Sequence, residues 1–286
     1  MGGGSYSYIN SVSRSSVYRT KSREEVFTQS AMSPQMDIVG KVRESRDSEE
    51  HPQSFPIIIA LDITGSMNDI PEYLIKHAFP DIMKSVMDGG VVDPQVCFVG
   101  IGDHYSDRAP IQVGQFESSD ELLDKWLKTL WLEGGGGGNG GESYSLAWYF
   151  ATKHTSTDSF LKRGKKGVII STGDESCHRS INSTTIKILF GDSLETDMVS
   201  KDILREAQKS WMVYHIHLGC GSGYDDIDAK AWKNLLGENL ILEPLNSRRR
   251  LNVARDIPKI IISAYNSQRE NTPLQVEDSK RDKHLR

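Results

Sequence analysis

The run Phe55-Pro56-Ile57-Ile58-Ile59-Ala60-Leu61-Asp62 limits the fold of this chain more than any other stretch. It is too short to cross a bilayer and too rich in β-branched residues for a surface helix, so it reads as a strand buried on both faces. It stops at Asp62 and is followed by Ile63-Thr64-Gly65-Ser66-Met67. Asp62, Thr64 and Ser66 supply one carboxylate and two hydroxyl oxygens, and Gly65 lets the backbone curl so that all three can face one point. Hard divalent cations favour such an oxygen set.

Two further strand ends carry polar residues. Val168-Ile169-Ile170-Ser171-Thr172-Gly173-Asp174 is a second buried run closing on an acid, with Asp174 as its carboxylate and Thr172 as an alternative oxygen. Pro94 to Ile101 is a third, running into Gly102-Asp103-His104-Tyr105-Ser106-Asp107. Between them lies a glycine-dominated loop from Glu133 to Glu142, broken by Asn139 and followed by the apolar face of Leu146, Ala147, Tyr149, Phe150 and Ala151. No Lys-Ser/Thr follows the loop and no short strand runs directly into it, so it matches neither nucleotide-binding fingerprint.

The rest of the chain alternates strand and helix. Pro71 can open a helix whose Leu74, Ile75, Ala78, Ile82, Met83 and Val86 recur at helical spacing, and Pro80 should kink or split it. Ile111, Val113 and Phe116 alternate after a connection too short for a parallel crossover, which predicts a short antiparallel edge strand. Leu122 to Trp131 marks a helix, Trp211 to Leu218 a strand, Ile227 to Leu236 a helix, Leu240 to Leu242 a last strand, and Ile257 to Tyr265 one face of a closing helix. The expected fold class is α/β: a Rossmann-like three-layer fold with a mainly parallel sheet of about six strands, one short antiparallel edge strand, and helices on both faces.

Asp-x-Thr-Gly-Ser after an apolar strand, with the glycine-rich loop and the acidic end of the 168–174 run, resembles the metal-ion-dependent adhesion site of a von Willebrand factor A (vWA) domain. The resemblance covers about 53 to 268, with 1–52 as a flexible or loosely packed N-terminal arm and 269–286 as a charged tail. It implies a metal set of Asp62, Thr64, Ser66, Glu142 and Asp174 holding Mg²⁺, with Mn²⁺ or Ca²⁺ equally suited to the oxygens. The sequence departs from the family twice. Thr-Gly-Asp replaces the usual Thr-Asp-Gly, and Glu142 stands where the family usually has Thr, about five residues before Ala147. A ligating Glu142 would weaken the cation's pull on a partner's carboxylate; otherwise Asn139, Ser143 or Ser145 supplies the oxygen. The function implied is metal-dependent protein binding rather than catalysis. The chain would be an adaptor in a multiprotein complex whose partner offers an acidic side chain, with an AAA+ ATPase of the MoxR type as favoured partner.

Composition bounds the alternatives. A net charge of −5 argues against a general nucleic-acid or anionic-membrane binder, because such proteins need a basic surplus. Three cysteines in 286 residues fit a reducing compartment, and no apolar run is long enough to span a bilayer, so the expected location is cytoplasmic, with no membrane partner. Two other functions remain open: a Mg²⁺-dependent phosphoester hydrolase using Asp103 or Asp174, and an RNA- or phosphate-binding protein using Arg14, Arg19, Lys21 and Arg23 of the arm with Arg248 to Arg250. Asp103, His104 and Asp107 offer an acid, a base or an extra ligand. Cys177-His178, His215, His217 and Cys220 would suit zinc if the fold made them neighbours, although no Cys-x-x-Cys pair is present and packed histidines are the commoner outcome.

Overall fold

The computed structural model describes residues 4–135, 140–219, 227–244 and 246–270. At its centre is the run singled out above, strand β1 (Phe55–Asp62), every residue of which is buried. Around it lie β2 (Pro94–Ile101), β3 (Ile111–Val113), β4 (Gly167–Gly173), β5 (Trp211–Gly219) and β6 (Leu240–Pro244). The six-stranded sheet has the order β6-β5-β4-β1-β2-β3. Only β3 runs antiparallel, paired to β2 through Val99–Val113 and Ile101–Ile111. The expected mainly parallel sheet with one antiparallel edge strand is therefore the observed one.

Successive side chains of a strand point to opposite faces, and β1 divides its residues accordingly. Ile57, Ile59 and Leu61 join one core layer with Phe79, Ile82, Val253 and Ile257, from the helices at 79–88 and 249–270. Ile58 and Ala60 join the other with Trp148, Phe150 and Leu204, from the helices at 145–153 and 200–210. Helices thus cover both faces, as the near-continuous apolar strands require.

Register decides what meets at the end of the sheet. Asp62 pairs with Ile101 of β2 and Leu61 with Thr172 of β4, so the loops after all three strands emerge side by side. The chain goes from β1 to β2 and β3 on one side and then returns to place β4 on the other. The C-terminal ends of β1 and β4 therefore flank a topological switch point, where open α/β sheets form their binding crevices.

The helix after β1 is split as expected. Asp69–Tyr73 is α-helical, Leu74–Ala78 widens into a π turn, and Phe79–Asp88 resumes with Pro80 in its first turn. Pro80 has no N–H to return to the preceding turn, and the ladder reorganises around the gap.

The first 52 residues differ from expectation. A helix over Tyr8–Tyr18 is held by the Ser15 hydroxyl donating to the Ile75 carbonyl at 2.8 Å. Tyr18, Val26, Phe27 and Met36 enter one core layer, and Ile38 the other. Arg43–Ser45 pairs in parallel with Thr155–Thr157. This segment is anchored rather than loosely packed. Its apolar residues are too irregularly spaced to show as a periodic face; Tyr18, Val26, Phe27, Met36 and Ile38 land in the core, whereas Ile9, Val17, Val39 and Val42 stay exposed. The charged tail expected at 269–286 lies, from residue 271 onward, outside the described residues.

Candidate metal centre

Asp62 is fully buried where β1 ends. Its Oδ1 accepts from the Thr64 N–H at 2.9 Å and from the Thr64 hydroxyl at 2.6 Å, and its Oδ2 accepts from the Tyr144 hydroxyl at 2.7 Å. Burial raises its pKa to about 7, the three hydrogen bonds oppose the rise, and Asp174 adds to it.

Glu142 is also buried, and its carboxyl is pushed up to about 10 by burial and then by Asp62, Asp103, Asp107 and Glu175. Its main chain is tied to the loop after β4: the Glu142 N–H donates to Ser176 O at 2.8 Å and the His178 N–H to Glu142 O at 3.1 Å. Ser143 N–H donates to Gly102 O at 3.1 Å, and Gly65 N–H to Gly135 O at 2.8 Å. The glycine-rich segment therefore touches the loops after β1, β2 and β4.

Three side-chain oxygens near the strand ends are buried without a hydrogen-bond partner among the described residues: Glu142 Oε2, Thr172 Oγ1 and Asp174 Oδ1. Glu142 and Asp174 lie close enough to Asp62 for the charges to interact, whereas Thr172, paired with Leu61, points to the opposite face of the sheet from Asp62. Arg43 Nε, Trp148 Nε1 and His215 Nε2 are buried without a partner as well, so what sets Glu142 and Asp174 apart is that both are carboxyl groups interacting with the buried Asp62. Carboxylate oxygens suit a hard divalent cation. Ser66 is exposed, and its carbonyl accepts from Arg249 Nη2 at 2.9 Å. Asp62 and Thr64 are in direct contact, whereas Asp62, Glu142 and Asp174 do not bring one oxygen each within 4.8 Å of one another. Asn139 lies outside the described residues.

The order Thr172-Gly173-Asp174 has a steric reason. A Cβ on residue 173 would lie 1.7 Å from the Tyr144 hydroxyl oxygen, so only glycine fits beneath that ring. Burial, followed by the Asp62 charge, holds the Tyr144 pKa well above its ordinary value and keeps the hydroxyl a donor. No sequence pattern singles out Tyr144, because its partner is 82 residues away.

Other expectations fare differently. His215 and His217 are buried on β5; His215 stacks on Trp232 at 3.6 Å between ring centroids and bonds through Nδ1 to Ser171 Oγ at 2.8 Å. Burial, with His217 beside it, pushes its pKa well below the ordinary value, so it is a neutral core histidine. Cys177, His178, His215 and His217 do not gather as metal ligands, and Cys220 lies outside the described residues. His178 instead meets Asp103, its Nε2 at 2.8 Å from Oδ1.

The Arg248–Arg250 run, named above as a candidate phosphate contact, reaches into the closing helix, where Arg249 pairs with Asp69 at 2.7 Å and bonds the Ser66 carbonyl. Arg250 lies over the Tyr73 ring at 5.5 Å. In the N-terminal segment Arg14 is paired with Asp120, and Arg23 with Glu72 at 2.8 Å. Two of the four arm cations named for phosphate binding are thus engaged within the chain.

Among the described residues no helix is long and apolar enough to cross a membrane. No protein-family model and no curated protein matches the sequence. Solved structures similar to the chain include the pilus adhesin SpaC from Lactobacillus rhamnosus GG, at TM-score 0.48 and 11% identity over 79% of this chain and 31% of that one. Proximal thread matrix protein 1 from the mussel byssus is similar at TM-score 0.44 and 12% identity, over 74% of this chain and 48% of that one. The chain spans less than half the length of each of these proteins. A von Willebrand factor type A protein from Catenulispora acidiphila, a representative of the family that the strand-end loops resemble, is similar at TM-score 0.46 and 11% identity, over 74% of this chain and 43% of that one.

Proposed function

We propose that the chain is a protein-binding module whose sheet crest holds a divalent cation, Mg²⁺ first and Mn²⁺ or Ca²⁺ by the same oxygens, and that it works by binding rather than turnover. The observation that carries the reading is the pair of buried, unpartnered carboxyl oxygens Glu142 Oε2 and Asp174 Oδ1, both within electrostatic reach of the buried Asp62. Thr64 and Ser66 are the neutral donors of the set, and Asp62 and Asp174 hold it directly or through water. The spacing of Asp62, Glu142 and Asp174 favours some water-mediated contacts, which suits an ion that keeps part of its hydration shell.

When bound, the cation supplies a coordination position for an acidic side chain of a partner. The chain's own residues set how strong that pull is. Thr64 and Ser66 contribute neutral oxygens, whereas Glu142, ionised when the cation displaces its proton, would add negative charge and moderate the attraction. Arg249 fixes the Ser66 end of the loop through the carbonyl, leaving the Ser66 hydroxyl uninvolved in that contact. An adaptor role in a multiprotein complex, with an AAA+ ATPase of the MoxR type as the first partner to try, follows from the family resemblance of the loops.

The test is affinity capture by the immobilised chain with and without chelator, beside the Asp62→Ala variant, with bound proteins identified by mass spectrometry. A partner retained in Mg²⁺ and lost both on chelation and in the variant is the expected outcome. Equal capture by parent, chelated parent and variant would contradict the reading.

A further inference from the structure

Asp103 and His104 follow the end of β2, and His178 lies in the loop after β4. The fold brings one ligand atom of each within 4.8 Å of the others, the one such trio of His, Cys, Asp or Glu side chains among the described residues. His178 Nε2 and Asp103 Oδ1 are 2.8 Å apart, and Asp103 is fully buried. The Asp103 carboxylate is fixed by the Tyr105 N–H, which donates to Oδ1 at 3.1 Å, and by the Ser106 hydroxyl, which donates to Oδ2 at 3.2 Å. His104 Nδ1 meets Ser143 Oγ at 2.7 Å, while its Nε2 is buried with no hydrogen-bond partner. The two imidazoles stand edge to face with centroids 5.2 Å apart, and Tyr105 packs on both, at 4.0 Å and 5.0 Å.

We propose that Asp103, His104 and His178 form a second cation site, selective for a borderline transition-metal ion of the zinc class. Two imidazole nitrogens and one carboxylate favour Zn²⁺, Co²⁺ or Ni²⁺ over Mg²⁺ and Ca²⁺, which prefer oxygen alone. Ligation through His104 Nε2 with Nδ1–H held by Ser143 Oγ is the arrangement that metal-bound histidines ordinarily show. Metal–ligand distances of about 2.0–2.1 Å in a tetrahedral shell separate ligand atoms by about 3.3 Å. The His178–Asp103 contact therefore has to open by only about half an ångström. Three protein ligands leave one position for water or for a group from outside. His178 also lines a cavity of about 570 Å³ bounded by Arg179 and Lys201, which gives solvent a route to the imidazole. The site stands on its own donors and does not require the Asp62 cluster to bind Mg²⁺.

The probe is Co²⁺, added to the full chain in the presence of millimolar Mg²⁺ and followed by ligand-field absorption, with Zn²⁺ displacement by calorimetry. One Co²⁺ per chain with a low-symmetry, four-coordinate spectrum is expected. His104→Gln and His178→Gln each lower the affinity by about tenfold or more, while the far-UV circular dichroism and the thermal shift given by Mg²⁺ are unchanged. Absence of stoichiometric Co²⁺ binding by the parent chain would overturn the proposal without touching the Mg²⁺ reading. So would a Co²⁺ site that survives both substitutions, since the metal would then sit elsewhere.

Discussion

The Tyr144 hydroxyl donates to Asp62 Oδ2 at 2.7 Å and occupies the space above Gly173 that a Cβ would need. One tyrosine thus locks the buried carboxylate of β1 to the end of β4. Tyr144→Phe leaves a buried carboxylate oxygen without its donor, and should cost about 1–3 kcal/mol of stability. Gly173→Ala forces the ring to move and should cost at least as much. The double variant should be less destabilised than the sum of the two, because both act on one contact. Urea denaturation of the three variants measures this; strict additivity would show that the contact does not couple the strands.

Glu142 separates the electrostatics of the crest from its packing. The neutral amide of Glu142→Gln removes the cost of holding a carboxyl beside Asp62 and Asp103 in a buried place. In chelator this variant should be more stable than the parent, by on the order of 1 kcal/mol or more. Added Mg²⁺ should raise the parent's melting temperature more than the variant's. Thermal melts with and without Mg²⁺ decide the point, and equal shifts would place Glu142 outside the cation's reach.

Arg249 joins the closing helix to the loop after β1 through Asp69 and the Ser66 carbonyl. Arg249→Ala should lower stability by about 1–2 kcal/mol and weaken Mg²⁺ binding by loosening the Ser66 turn. Calorimetric titration against the parent checks it; Mg²⁺ affinity equal to the parent's would show that the turn is rigid without the arginine.

Asp47 fastens the N-terminal segment. Burial alone would raise its pKa, but Arg163 at 2.7 Å and the Ser54 hydroxyl at 2.8 Å hold it below the ordinary carboxylate range. The native carboxyl then takes up its proton less readily than the unfolded chain does. Its contribution is whole above about pH 4 and fades as the pH falls through the depressed native value. Asp47→Asn should cost about 1–2 kcal/mol at neutral pH, with the gap to the parent narrowing below about pH 4. Parallel stability curves for the two proteins would contradict this.

What the sequence reveals follows from how local each signal is. The apolar runs of β1, β2 and β4 and their polar ends are contiguous, so the sheet and the meeting of its loops are legible without coordinates. Pro80 marks the helix break because its missing N–H acts on its own turn. Met36 and Ile38 lie in a short stretch with no sustained apolar period, and their burial depends on pockets supplied by distant elements. Arg249 looks like part of a charge run until the closing helix turns it toward Asp69. His178 and Asp103 are 75 residues apart, and it is the register of the sheet, with the pairing of Glu142 and Cys177, that sets their loops side by side.

The most direct measurement is the binding of Mn²⁺, as a paramagnetic stand-in for Mg²⁺, to the purified chain by electron paramagnetic resonance with Mg²⁺ competition. One bound Mn²⁺ per chain is predicted, displaced by Mg²⁺, lost in Asp62→Ala and weakened in Asp174→Asn, with the fold of both variants intact by circular dichroism. Parent protein that leaves Mn²⁺ free in solution, or variants that bind it as the parent does, would contradict the account of the crest as a cation site.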